Sequence, residues 1–287
     1  MDAAFNTKAI DRALGDWSVW TEGRITLGKT HATSASSAQE STTYNVSLGF
    51  DRPTEDNHLI GVVIGLGKGE ADTTNNSTID SDSYSISGYG LIRDKDQKTL
   101  AHAMLGYGRI NIDKVRIDGS DTLNGSHAAD QFFGSLVVKR KTLEAGRFSL
   151  TPYGKIYSSR TSYDGYSESG GVSALTYGKQ VIDSTVLSAG VDADYITPID
   201  NGNIRPFMKF EYGADVSGSS VVNMHYNNQS TNYQLTLDNK ADSNWKFVVG
   251  ADLYTKDEWD GSISYERTEA VNAGYSDSVA ARLGLKF

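Results

Sequence analysis

Hydrophobic side chains fall on every second residue over long stretches of this chain, the period of a β-strand with two unlike faces. In residues 17–28, Trp17, Val19, Ile25 and Leu27 alternate with Ser18, Glu22, Arg24 and Thr26, and Trp20 joins the polar set. Residues 43–51 set Tyr44, Val46, Leu48 and Phe50 against Asn45, Ser47, Gly49 and Asp51, and Ile60, Val62, Ile64 and Leu66 oppose glycines and Val63. The scheme returns near 131–140, 147–158, 187–195, 204–212, 245–253 and 262–266, and closes on Val279, Ala281, Leu283, Leu285 and Phe287. Segments near 82–93 and 99–112 are strand-like but leave their facing open; in the first, Ile86 and Ile92 compete with Tyr89 and Leu91. The pattern predicts about twelve strands, each long enough for the roughly 9–11 residues of a tilted membrane-spanning strand.

Connections near 51–57, 93–98, 139–146, 197–203 and 255–260 are short, and Pro53 and Pro198 fall in two of them. Those near 29–41, 68–80, 113–129, 159–180 and 214–242 are longer and rich in Ser, Thr, Asn, Gly and Asp; the last, near 268–275, is brief. Such alternation fits an even, antiparallel barrel in an outer membrane, with both ends of the barrel on the short-turn side. Residues 219–238 have the pattern of a hairpin inside the longest loop. Residues 1–14 differ, being helix-friendly from Ala3 to Leu14 with Gly15 as a stop, yet without a clean apolar stripe. The expected division is a short helix or linker over 1–14, suited to a polar surround, and a β-barrel over 15–287.

Composition leaves this picture standing. Mean hydropathy is -0.42 and charged residues make up 22%, totals that a membrane barrel shares with soluble proteins because only alternate residues face lipid. Sixteen tyrosines, 29 glycines and 4 prolines favour strands joined by turns. The most apolar stretch, His58–Gly67, falls short of the roughly 20 residues of a spanning helix. A net charge of -9 argues against a nucleic-acid partner. The absence of cysteine removes disulfides, thiolate metal sites and cysteine nucleophiles. No basic n-region or apolar h-region opens the sequence, which leaves a cytosolic chain or one whose export signal lies upstream.

No catalytic or metal motif emerges. His31, His58, His102, His127 and His225 are scattered, with most expected on loops or strand ends. Gly165-Tyr-Ser-Glu-Ser169 lacks the second glycine of a nucleophile elbow, and Asp80-Ser-Asp-Ser is expected to be an acidic loop in solvent. No metal and no cofactor are assigned.

Several stretches together resemble the C-terminal translocator domain of autotransporters, the type V secretion barrel. They are Trp17-Ser-Val-Trp-Thr-Glu-Gly, Ser47-Leu-Gly-Phe-Asp51, Ile60-Gly-Val-Val-Ile-Gly, Asp80 to Gly90, Phe148 to Ile156, Asn203 to Phe210 and Leu283-Gly-Leu-Lys-Phe287. The resemblance implies an all-β fold, a 12-stranded antiparallel transmembrane barrel with a short N-terminal helix in its lumen. It implies an outer-membrane location with both barrel ends periplasmic, and a passenger exported to the cell surface. Implied partners are outer-membrane lipid and lipopolysaccharide, the barrel assembly machinery, periplasmic chaperones and the passenger itself, with the barrel a monomer. Leu283, Leu285 and Phe287 look like the assembly signal. In some family members a helix asparagine cyclises to cut the passenger; Asn6 is the only asparagine of the helix region here and so the candidate, with Glu22, Glu211 and Glu266 as candidate assistants.

With the apolar set facing lipid, the other face lines the lumen: Glu22, Arg24, Lys155, Asp192, Arg205, Lys209, Glu211, Lys246, Asp252, Glu266 and Arg282. Interleaved signs allow these groups to pair with one another and to cradle Lys8, Asp11 and Arg12 of the helix. Two alternatives stay open. A phospholipase-like outer-membrane barrel needs a serine and a histidine on the lipid face near the outer rim, where His102 is the candidate; a simple porin gives the N-terminal segment no role.

Overall fold

Because neighbouring side chains of a strand point to opposite faces, a long two-faced chain is satisfied where its sheet separates two environments. The computed structural model describes residues 17–32, 37–54, 58–237 and 243–286. The helix expected over 1–14, with Asn6, and the terminal Phe287 lie outside them. Twelve long strands form the wall: β1 (Ser18–Thr30), β2 (Gln39–Pro53), β3 (Leu59–Thr73), β4 (Thr78–Arg93), β5 (Thr99–Asp118), β6 (Asp121–Arg140), β7 (Phe148–Tyr163), β8 (Gln180–Tyr195), β9 (Gly202–Asp215), β10 (Ser243–Thr255), β11 (Trp259–Ala270) and β12 (Gly274–Lys286). Each pairs antiparallel with its sequence neighbours, and β12 pairs with β1 from Ser18↔Lys286 to Thr30↔Gly274. The sheet is a closed twelve-stranded barrel, and closure leaves no edge strand in the wall.

Ile25, Val46, Ile64, Leu136, Phe210, Phe247 and Leu283 are exposed on the outer face, as the alternation requires. The two undecided segments are resolved as well. On β4, Tyr84, Ile86 and Ile92 point out while Tyr89 and Leu91 are buried; on β5, Leu105 points out while His102 and Met104 are buried. Both faces of these strands are apolar because the barrel holds a core of its own. Inside it, Trp20, Leu59, Val63, Tyr89, Leu91 and Met104 pack together, with Leu100 and Phe133 against them.

Two segments expected as long loops are strands. β3 and β4 continue to a tight turn over 74–77, and β5 and β6 reach 20 residues each before a turn at Gly119 and Ser120. Gly119 adopts φ 60° there, a conformation glycine takes without steric cost. Asp80-Ser-Asp-Ser is accordingly part of β4. These outer portions resemble loops in sequence because, beyond the membrane, neither face has to be apolar.

Beyond the wall, Tyr166–Ser167, Leu175–Tyr177, Ser220–Tyr226 and Tyr233–Leu237 make a second, four-stranded antiparallel sheet. It includes the hairpin expected within 219–238 and meets β6 through the Asn124↔Ser169 bridge. This sheet and the β5–β6 hairpin rise on the side opposite Ser18 and Lys286.

Candidate functional site: the charged half of the barrel interior

Cross-strand register sets opposite charges beside each other on the inner face. Asp192 lies opposite Lys209, Glu211 opposite Lys246, and Arg205 opposite Asp252. Lys155 Nζ reaches Glu211 Oε1 at 3.3 Å, and the Tyr153 hydroxyl donates to Glu211 Oε2 at 3.0 Å. Arg205 Nε donates to Asp252 Oδ2 at 2.9 Å, and the Tyr254 hydroxyl donates to the same oxygen at 3.1 Å. Lys139 and Lys209 stand 3.6 and 3.9 Å from Asp192 Oδ2. Arg24 and Lys246 share Glu266 at 3.9 and 3.5 Å, and Arg24 also meets Glu22 at 3.4 Å.

Arg282 lies with its guanidinium 4.7 Å from the Trp20 ring centroid. That indole donates to Asp51 and to the Tyr89 hydroxyl, each at 3.1 Å, and Tyr89 donates to Asp51 at 2.8 Å. Glu22, Arg24, Lys155, Asp192, Arg205, Lys209, Glu211, Lys246, Asp252, Glu266 and Arg282 are buried or half-buried, and each lies against a charged or aromatic group. Sequence reasoning missed Lys139 and Tyr254, and it placed Asp51 and Tyr153 on the polar face without counting them among the lumen groups. The signal that finds them is position, a polar or tyrosyl group in phase with the inner set, with Lys139 and Asp51 lying near strand ends.

The interior is unevenly filled. The core around Trp20 occupies the β1–β5 side, whereas a cavity of about 720 Å³ lies along the β6–β10 wall, lined by Lys139, Lys155, Asp192, Arg205, Lys209, Glu211 and Lys246 among others. Asp192 is 8% exposed and lines this cavity, and its Oδ1 has no hydrogen-bond partner among the described residues. A buried carboxylate oxygen in that state marks a place where a donor would be strongly favoured.

His102 does not stand where the phospholipase alternative needs it. It is buried inside, 6.3 Å from the Tyr89 ring, and lines the same cavity instead of facing lipid. Among the described residues no group of three or more His, Cys, Asp or Glu is arranged to hold a metal.

Outside the membrane span, Arg116 grips the buried Glu168 with Nε–Oε1 and Nη2–Oε2 contacts of 2.9 and 2.6 Å, tying the outer sheet to β5. His127 of β6 stacks on Tyr166 at 4.3 Å, and Tyr166 on Tyr177 at 4.8 Å. Burial and the nearby Lys114 ammonium hold the His127 pKa below its ordinary value, and burial pushes Tyr177 up to about 12.

The autotransporter β-domain family model matches residues 19–266. The chain belongs to this family. An autotransporter β-domain is the outer-membrane translocator of a secreted passenger, and the barrel described above is of that kind. Solved structures agree on the fold. The chain is similar to the translocator domain of NalP from Neisseria meningitidis, with 15% identity, TM-score 0.78, and 98% of this chain and 92% of that one covered. It is similar to the β-domain of the Bordetella autotransporter BrkA, with 12% identity, TM-score 0.70 and 93% and 98% covered. For the transport unit of AIDA-I from Escherichia coli the values are 14%, 0.60, 97% and 92%. No curated protein sequence matches the chain.

Proposed function

We propose that this translocator anchors and exports its passenger while residues 1–14 occupy the charged half of the lumen as a plug. The observation that carries the reading is the uneven interior. One side is packed by its own aromatic core, and the other is an open, mixed-sign cavity lined by Asp192 among others. Lys8, Asp11 and Arg12 offer both signs to such a wall. Charges that pair across the lumen and with an occupant avoid the repulsion of a single-sign pore.

In this reading the residues over 15–287 form the barrel, a monomer with both ends on the periplasmic side. Support comes from Ser18 and Lys286 lying together, opposite the long hairpins, since outer-membrane barrels carry short turns on the periplasmic side and long loops outside. Outer-membrane lipid and lipopolysaccharide surround the exposed apolar band. Leu283 and Leu285, both outward, with Phe287, form the sequence by which chaperones and the barrel assembly machinery recognise the chain. The barrel carries out no catalytic turnover. Glu22, Glu211 and Glu266 are each already ion-paired to Arg24, Lys155 or Lys246, so we assign no asparagine cyclisation at Asn6.

Single-channel conductance tests the plug. The whole chain is expected to conduct weakly, and a chain lacking residues 1–14 severalfold more; equal conductances overturn the plug and favour a porin.

A further inference from the structure

Two places on the outer face of the wall are built alike. On β5 and β6, Arg109 lies directly opposite Asp130 and Tyr107 opposite Phe132; on β11 and β12, Arg267 lies directly opposite Asp277 and Tyr265 opposite Val279. In the first, the Tyr107 hydroxyl and Arg109 Nη1 both donate to Asp130 Oδ1, at 2.6 and 2.9 Å. In the second, the Tyr265 hydroxyl donates to Asp277 Oδ1 at 2.6 Å and Arg267 Nη1 to Oδ2 at 2.8 Å. Each is thus a Tyr-x-Arg step on one strand gripping a carboxylate on the next.

Both clusters end an apolar band. On the chain-end side of the first, Leu105 and Phe132 are 75% and 63% exposed; on that side of the second, Ile263 and Val279 are 59% and 52% exposed. The two strand pairs are six strands apart in a ring of twelve, hence on opposite sides of the barrel. Ion pairs such as Lys29–Glu40 and Arg160–Asp183 occur elsewhere on the outer face, but neither has a tyrosine donating to its carboxylate among the described hydrogen bonds.

We propose that these clusters are contacts with the head-group layer of the outer leaflet, and that as an opposed pair they set the depth and tilt of the barrel. The proposal rests on the membrane orientation given above. An outward Arg–Asp pair is costly in hydrocarbon and nearly free at the interface, and the exposed Leu105 or Ile263 has the reverse preference. On the partner strands the exposed Phe132 and Val279 stand one outward step from Asp130 and Asp277, which pins the polar boundary within about 7 Å along a strand. Tyrosine suits the same level, with an apolar ring and a polar tip. One such point fixes depth locally; two on opposite sides also fix the lean between them.

The chain has no cysteine, so single spin labels report cleanly. Ile86→Cys lies beside Tyr107 in register and Val249→Cys beside Tyr265. Both are labelled in phosphatidylcholine vesicles, and depth is read from collision with oxygen against a water-soluble nickel chelate. Replacing Arg109 and Asp130 together by Leu is expected to sink the Ile86 label by about 3 Å or more, one residue's rise, and to move the Val249 label less or the opposite way. The Arg267→Leu and Asp277→Leu pair gives the mirror result, and Arg109→Lys leaves both labels in place. Heat-modifiable gel migration confirms that each variant is a folded barrel. Labels that stay at bilayer depth without moving overturn the proposal alone. Labels freely reached by the nickel chelate overturn the orientation as well. Labels shielded from both colliders indicate a second copy of the chain on these faces, and that also overturns it.

Discussion

At the scale of single residues, the inner face is governed by how much space each position leaves. Gly49 lies beside Trp20, and a Cβ there would fall inside the indole, which two hydrogen bonds hold in place. Gly49→Ala is expected to cost about 1–3 kcal/mol by overpacking, read as an earlier thermal transition in detergent, whereas Gly23→Ala on the outer face, with open space around it, should change little. Near neutral pH, His127 links the outer sheet to the proton concentration. Its pKa is held below the ordinary 6.5 by burial and Lys114, so the unfolded segment takes up the proton first. Stability of the outer sheet is expected to be full above about pH 6.5, to fall as pH drops through that value, and to level off below the folded-state pKa. Tyrosine circular dichroism melts across this range test it, and His127→Phe should abolish the dependence.

At the scale of elements, strands and the structures that ride on them separate. Inside the membrane each strand needs an apolar outer set, and that demand made its strands visible. Beyond the membrane β3 to β6 continue without it, held by ladder hydrogen bonds and, at the Arg116–Glu168 pair, by a buried carboxylate. The hairpin of Ser220–Tyr226 and Tyr233–Leu237 belongs to the second sheet, outside the ladder that closes the barrel, and meets the wall where Gln180 Nε2 donates to Ser220 Oγ at 3.1 Å. Replacing residues 219–238 by a short Gly-Ser turn should leave the heat-modifiable migration of the barrel unchanged; a barrel that no longer resists unfolding in detergent at room temperature would show that the hairpin is part of the wall's stability.

At the scale of the whole molecule, twelve two-faced strands are stable when rolled into a ring with lipid outside and a polar, partly packed lumen within. Alternation with a period of two is a local property, set by the geometry of one strand. The sequence by itself therefore determined that there are about twelve strands, that residues such as Arg205 and Glu211 take the inner side, and that the terminal strand meets the first. It left the facing of β4 and β5 open, since an inner apolar core puts hydrophobic residues on both faces there. The tertiary structure alone decided which charges pair, because a pair such as Lys155 and Glu211 joins strands that do not neighbour each other. It also decided that a cavity lies along the β6–β10 side of the lumen, and that two Tyr–Arg–Asp clusters stand on opposite sides of the ring. Register and closure are relations between distant strands, fixed only when the whole sheet satisfies its hydrogen bonds at once.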